Sequence, residues 1–495
     1  MNGDLILAHD LGTSGNKATL YSVDGAKVGS VTAGYDARFF NGCWAEQDPE
    51  DWWRAVCAST KRLLEETKTD PSRIAVVALS GQMMGATPVD AAGKALRPSI
   101  LYCDQRAVAE ERQIAERVGE ARFFDIVGHR VSASYSIEKL MWVKAHEPDV
   151  YAKTAKTLCA KDFVNARLTG RLVTDFSDAS STNAFDLNAF RWSDEILAAA
   201  EIPPEKLPEA VPSTEIIGHV TAAAAAATGL LEGTPVAAGG GDGSCAGVGA
   251  GAVKPGVTYN CMGSSSWIGL ATEKIVADPG RRVMTWAHCV PGVLHATGTM
   301  QTAGSAIKWF VEKCGVGYDA ADKVPPGANG LLFLPYLCGE RTPWWNPDAR
   351  GTFIGLNLAS TRAEMLRAVQ EGVAVSLAYI RDIFRETTDC GDELRVIGGG
   401  AQSAALVQIL ADACGCRVRT LKAVAEATST GAAVTGGVAC GLFPDFSVVD
   451  RFAVTDDTVE PDAARTAFYR RRRELMCAAY SNLTSIYAQM AKEIR

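Results

Sequence analysis

The chain has 495 residues, 47% of them hydrophobic and 21% charged, with a formal net charge of −8. That length fits about two to four domains of ordinary globular composition. The acidic balance excludes nucleic acid and anionic membranes as main partners, because both call for a basic patch, and no apolar run reaches the roughly 20 residues of a membrane helix.

The 14 cysteines are scattered without a CxxC pair, and there are only 6 histidines, so zinc-ligand spacing is absent. The opening MNGDLILAHD lacks the basic segment and long apolar core of a secretory signal. Idle thiols in a reducing cytosol are the expectation, and with them a cytoplasmic location.

In chain order, apolar Leu5 to Ala8 leads into Asp10-Leu11-Gly12-Thr13-Ser14-Gly15, and an alternating run from Ala18 to Val23 leads out. This reads as a hairpin with a tight polar turn. Its glycines let backbone N–H groups approach an anion, and Thr13 and Ser14 add hydroxyl donors. Asp10, at the strand end, suits a hydrated Mg²⁺. An ordinary Gly-rich hairpin would look the same.

Asp48-Pro49 reads as an N-cap and first helical residue, opening a helix to about Glu66. Ile74 to Leu79 is a continuous apolar strand of the kind buried on both faces. The loop after it, Ser80 to Gly85, lies where ligands gather in open α/β sheets, which nominates Met83 and Met84 as pocket walls. The loop Cys103 to Arg106 follows a second apolar run. There Asp104 fits either a ligand to two hydroxyls or a loop acid paired with Arg106. Helices dominate from about residue 107 to 230, and Ala-rich 221–228 is one of them.

Val236 to Ala238 runs into Gly239-Gly240-Gly241-Asp242, where Asp242 is either a catalytic base or the cap of the next helix. The Gly/Pro density up to Gly256 marks a boundary, giving halves of 1–252 and 253–495. The opening pattern then returns. Thr258 to Met262, Gly263-Ser264-Ser265 and Ser266 to Ile268 again read strand, Gly-hydroxyl turn, strand, with Cys261 in the place of Asp10. Two facing phosphate turns, one with a metal acid and one without, are what a shared ATP site needs. Leu394 to Ile397 leads to Gly398-Gly399-Gly400-Ala401-Gln402-Ser403, a glycine turn able to lie against a planar ring, and a helix over 404–413. Small residues from Glu426 to Cys440 form a helix suited to close packing.

In this order the motifs resemble the FGGY carbohydrate kinases, of the sugar kinase/heat-shock-70/actin superfamily, over nearly the whole chain to about residue 445. Ser134 to Trp142 is close to one family signature. Gly351 to Leu356 with Glu364, Met365, Ala368 and Val369 is close to another, and Ala145 and Gln370 depart from the usual residue classes. The resemblance implies an α/β fold of two tandem ribonuclease H-like (actin-like ATPase) domains around a central cleft, with ATP and Mg²⁺ as cofactors and a homodimer as the assembly. It implies Asp242 as the base, Asp10 at the metal, Thr13, Ser14, Gly263 and Ser264 at phosphates, and Gly400, Ala401 and Ser403 at adenosine with Gly304 beside them. Met83, Met84, Asp104 and Asp242 would wall the sugar.

Trp44 to Pro49 and Gly81-Gln82-Met83 resemble the xylulokinases, so D-xylulose is the expected substrate. Met84 and Tyr102-Cys103 stand where those enzymes carry His and Trp-Asn, which leaves another ketose, a deoxy sugar or a polyol as rivals. Glu340 and Arg341 fit either cleft residues or a structural ion pair. An actin-type ATPase would lack the Gly-Gly-Gly-Asp turn, and a sugar sensor without catalysis would not need both Asp10 and Asp242.

Overall fold

The computed structural model describes residues 3–422 and 426–494; the outermost residues of the expected halves, 1, 2 and 495, lie outside them. Two seven-stranded sheets organise the chain. In the first, β1 (Leu5–Leu11), β2 (Gly15–Ser22) and β3 (Lys27–Gly34) form an antiparallel meander. Helix α1 (Pro49–Thr67) follows, with Asp48 accepting from Glu50 N and Pro49 at its start. It crosses to β4 (Ile74–Gly81), parallel to β1 and buried at every position. Helices α2 (Ala160–Thr169) and α3 (Phe176–Ser180) precede β5 (Ile216–His219) and β6 (Pro235–Ala237), of which β6 runs parallel to β4 and β5 antiparallel to β6. Helix α4 (Asp242–Gly249) ends this half.

The second sheet repeats the plan. Strands β7 (Thr258–Met262) and β8 (Ser266–Thr272) form a hairpin, β9 (Met284–Ala287) lies at the edge, and β10 (Leu294–Met300) continues the meander beside β8. After α5 (Gly304–Cys314) and α6 (Arg362–Thr387), β11 (Glu393–Ile397) joins β7 in parallel. Helix α7 (Ala404–Cys414) leads to β12 (Arg417–Leu421), parallel to β11; helix α8 (Ala427–Ala439) follows, then antiparallel β13 (Thr455–Val459) and the long α9 (Ala463–Ile494). Strand for strand, β1, β2, β3, β4 and β6 match β7, β8, β10, β11 and β12. The repeat seen in the two turns therefore extends to whole sheets.

The halves are interleaved at the cleft. Ala432, Ala433 and Val434 of α8 share a core with Ile6, Ala8, Val76 and Ala78 of the first sheet, while Ala246 of α4 packs with Tyr259 and Ile397 of the second. Where α4 meets α8 the backbones nearly touch: a Cβ on Gly431 would lie 1.9 Å from the Cys245 carbonyl oxygen. The small-residue pattern of α8 thus serves close helix packing at the cleft floor.

Residues 107–230 carry more strand than the sequence suggests. Short pairs such as Val173–Asp175 with Glu209–Val211 are only three residues long, too short to show alternation. Among the described residues no helix is long and apolar enough to cross a membrane.

Candidate active site

Both Gly-hydroxyl turns form as hairpins. Gly12 N donates to Gly15 O and Gly263 N to Ser265 O, each at 3.0 Å. They reach a cavity of about 470 Å³ between the halves, lined by Asp10, Thr13, Gln82, Met83, Met84, Tyr102 and Asp242 from the first half and by Ser265, Trp286, His295 and Arg341 from the second. A second cavity, about 1090 Å³, holds Gly263, Ser264, Gly304, Gly400 and Ser403. The turn 263–265 is the wall between them. Ser14 lines neither; it is exposed at its turn, with its carbonyl accepting from Tyr35 N at 3.1 Å. Ala401 packs against the core of the second half while its neighbours face the second cavity.

Asp242 is the first residue of α4, and the cap position belongs to Gly241, so its carboxyl is not spent on capping. Burial pushes that carboxyl up to about 7, with the Asp10 charge adding to the rise and the Gly243 N–H opposing it. The approach to Asp242 is tightly held. Gly239 has φ +70, and a Cβ there would meet the Leu79 carbonyl at 2.0 Å. Gly241 N donates to Ser177 Oγ at 2.8 Å, Ser177 Oγ donates to Asp175 at 2.5 Å, and Asp175 pairs with fully buried Lys161 at 3.1 Å.

Asp10 pairs across its hairpin with Lys17, whose Nζ lies 3.8 Å away, and burial raises its pKa against that attraction. Asp10 and Asp242 face one cavity, and Lys17 is shared between Asp10 and Glu426, whose carboxylate lies 3.5 Å from its Nζ. A divalent cation fits there, and Asp10 is the residue that would hold it, through water.

The loop after β4 is pinned from behind. Met84 adopts a left-handed φ of +63, uncommon for a non-glycine residue. Its N–H donates to Ser181 Oγ at 3.3 Å, and its carbonyl accepts from Lys139 Nζ at 2.8 Å. Lys139 also donates to the Ser134 carbonyl, and burial pulls its pKa down to about 7. Glu138 beside it accepts from Asn183, and burial pushes it up to about 8. The segment Ser134 to Trp142 therefore shapes the pocket loop from behind.

Asp104 is corrected by the structure. It is 0% exposed and does not line the cavity. Its oxygens accept from Arg106 Nε and Nη2 at 2.7–3.1 Å and from Ala45 N at 2.6 Å, leaving none for a sugar. Arg106 itself stacks on Trp44 at 3.9 Å. From that loop it is Tyr102, not Asp104, that reaches the cavity.

Strand β10 supplies residues that motif reading missed. His295, Thr297 and Thr299, followed by Gln301, alternate onto the cavity. Burial lowers His295 to about 4, so its imidazole is neutral, held by Tyr259 Oη at 3.0 Å on Nε2. Its Nδ1 and the hydroxyls of Thr297 and Thr299 have no partner. Buried polar atoms left open on a cavity are available to a polyhydroxy ligand. Alternation at period two was the available signal. Glu340 and Arg341 separate: Glu340 is buried and accepts from Gln301 N at 2.8 Å and Arg341 N at 2.7 Å, while the Arg341 side chain lines the cavity.

The model of the N-terminal domain of the FGGY family of carbohydrate kinases matches residues 5–249, and that of its C-terminal domain matches 258–440. The chain belongs to the FGGY family of carbohydrate kinases. Its fold is the tandem actin-like ATPase fold of that family, and as an FGGY kinase it is a phosphotransferase using ATP with Mg²⁺. It is 32% identical to the xylulose kinase of Escherichia coli (strain K12) over 97% of this chain and 99% of that protein. It is 30% identical to the gluconokinase of Bacillus subtilis (strain 168) over 90% of this chain and 89% of that protein. The solved structure of a ligand-bound xylulose kinase from Lactobacillus acidophilus superposes with a TM-score of 0.92 at 27% identity, covering 98% of this chain and 99% of that one.

Proposed function

We propose that this FGGY kinase phosphorylates D-xylulose to D-xylulose 5-phosphate, with Asp242 as general base. The observation that carries the catalytic part is the pairing of Asp242, its carboxyl raised to about 7, with Asp10 on one cavity between the halves. A base poised near neutral pH balances ionisation against proton affinity. ATP supplies the phosphoryl group, and Mg²⁺ at Asp10 supplies charge neutralisation. Asp242 takes the proton of the attacking hydroxyl. The N–H and hydroxyl groups of Thr13, Ser14, Gly263 and Ser264 steady the phosphates, and Gly304, Gly400, Ala401 and Ser403 border adenosine. Ser14 and Ala401 belong to this reading by their turns, since neither side chain lines a cavity.

Met83, Met84, Tyr102, His295 and Arg341 would contact the sugar. The similarity to xylulose kinases supports D-xylulose. The similarity to a gluconokinase, and Met84 and Cys103 in place of hydrogen-bonding residues, support a second reading in which another ketose, a polyol or a sugar acid is the acceptor. A halving at 252/253, a cytoplasmic location and a homodimer complete the proposal; light scattering of the purified protein tests the last. ADP release measured with D-xylulose, D-ribulose, erythritol and gluconate tests the substrate. Turnover with D-xylulose well above the others is expected, and a clear preference for any other acceptor overturns that choice.

A further inference from the structure

Among the polar side chains on the second cavity, Gln370 is a buried one that nothing above uses. Gln370 lies in the middle of α6, is 3% exposed, and lines this cavity. Its Oε1 is buried without a hydrogen-bond partner. Gln402, on the same cavity, is by contrast exposed on its turn. An unpaired buried amide is destabilising, so a position in a helix core that carries one calls for a partner supplied from the cavity side. The cavity has apolar or bare-backbone walls at Ile307 from α5, Leu406 from α7, Met262 from β7, and Gly304 and Gly400 at the turns, with Lys308, Glu312, Asp319 and Asp322 also on it. The apolar walls suit the faces of a flat ring, and a buried amide among them can meet its edge.

A carboxamide carries one acceptor and one two-proton donor side by side. Adenine presents the complement, a 6-amino donor beside a ring-nitrogen acceptor, and a glutamine amide can make both bonds at once. We propose that Gln370 is the residue that reads the adenine base, hydrogen-bonding its 6-amino edge from within α6. The proposal rests on the second cavity being the nucleotide site. Here the chain's departure from the usual residue class at position 370 becomes a specificity element.

Calorimetric titration with ADP and with purine riboside 5′-diphosphate, which lacks the 6-amino group, tests it in wild-type protein and in Gln370→Leu. Wild type is expected to bind ADP about tenfold more tightly than the analogue, and Gln370→Leu to bind the two within about twofold, the coupling expected of direct contact. Gln370→Met serves the same purpose if the leucine variant does not fold. Gln402→Trp, which fills the cavity from its exposed rim, reports on the site itself. If it abolishes ADP binding while the ADP-to-analogue ratio stays the same in wild type and Gln370→Leu, the cavity stands and Gln370 does not read the base. If it leaves ADP binding intact, the nucleotide site lies elsewhere and the proposal falls with it.

Discussion

Gly241 N–H donates to Ser177 Oγ at 2.8 Å, one residue before Asp242. The bond ties the start of α4 to a buried chain through Asp175 to Lys161. Removing Ser177 Oγ leaves a buried N–H open, at a cost of about 1–3 kcal/mol. Ser177→Ala is therefore expected to lower the melting temperature by several degrees and kcat by about tenfold, with the sugar KM nearly unchanged. Steady-state kinetics beside thermal denaturation checks this. A variant that loses stability and keeps kcat would show that Ser177 is a scaffold residue alone.

The pH dependence of turnover follows from Asp242. The base works ionised, and its pKa in the folded protein is about 7, so kcat/KM for the sugar should rise with pH through about 7 and level off above it. A profile flat between pH 6 and 8 would contradict the assignment.

The same shift has a consequence for stability. A carboxyl raised in the folded state contributes stability present below its ordinary value of 3.8 and lost as pH rises through about 7. Asp242→Asn removes that loss. The variant should melt above wild type at pH 8, and the gap should shrink as pH falls toward 5.

Lys139 holds the Met84 carbonyl from inside the protein. Lys139→Met frees a strained loop on the sugar side without touching the nucleotide side. The sugar KM should rise about tenfold or more and the ATP KM by less than about twofold. Equal changes in both would place the effect in global unfolding.

Much of this architecture is readable from residues. The two hairpins, the Gly-Gly-Gly-Asp turn and the apolar β4 are local patterns, and local patterns survive folding because backbone geometry dictates them. For Asp104 the sequence left two roles open, a ligand to sugar hydroxyls or a loop acid paired with Arg106, for a physical reason. A loop acid after a strand end has the same sequence whether it faces a ligand or turns inward, and only the fold shows Arg106 wrapping back on it at 2.7 Å. His295, Thr297 and Thr299 had a readable alternation, but which side of β10 meets the cleft depends on the packing of two halves far apart in sequence. Met84 stands where the xylulokinases carry a His, and His295 brings an imidazole to the same cavity from the opposite sheet. The corrected Asp104 gives its own expectation: Asp104→Asn should cost about 3–5 kcal/mol by breaking a buried ion pair, with the sugar KM of the folded protein unchanged.

The central claim is that Asp242 takes the proton in a sugar-dependent phosphoryl transfer, and coupled ADP release in wild type and Asp242→Ala, run beside ADP titration of both proteins, tests it most directly. Sugar-stimulated turnover in wild type, a loss of at least about a thousandfold in the variant, and ADP affinities within about twofold of each other are the predicted results. Turnover at wild-type level in Asp242→Ala, or no stimulation of wild type by any sugar, polyol or sugar acid, would contradict the account.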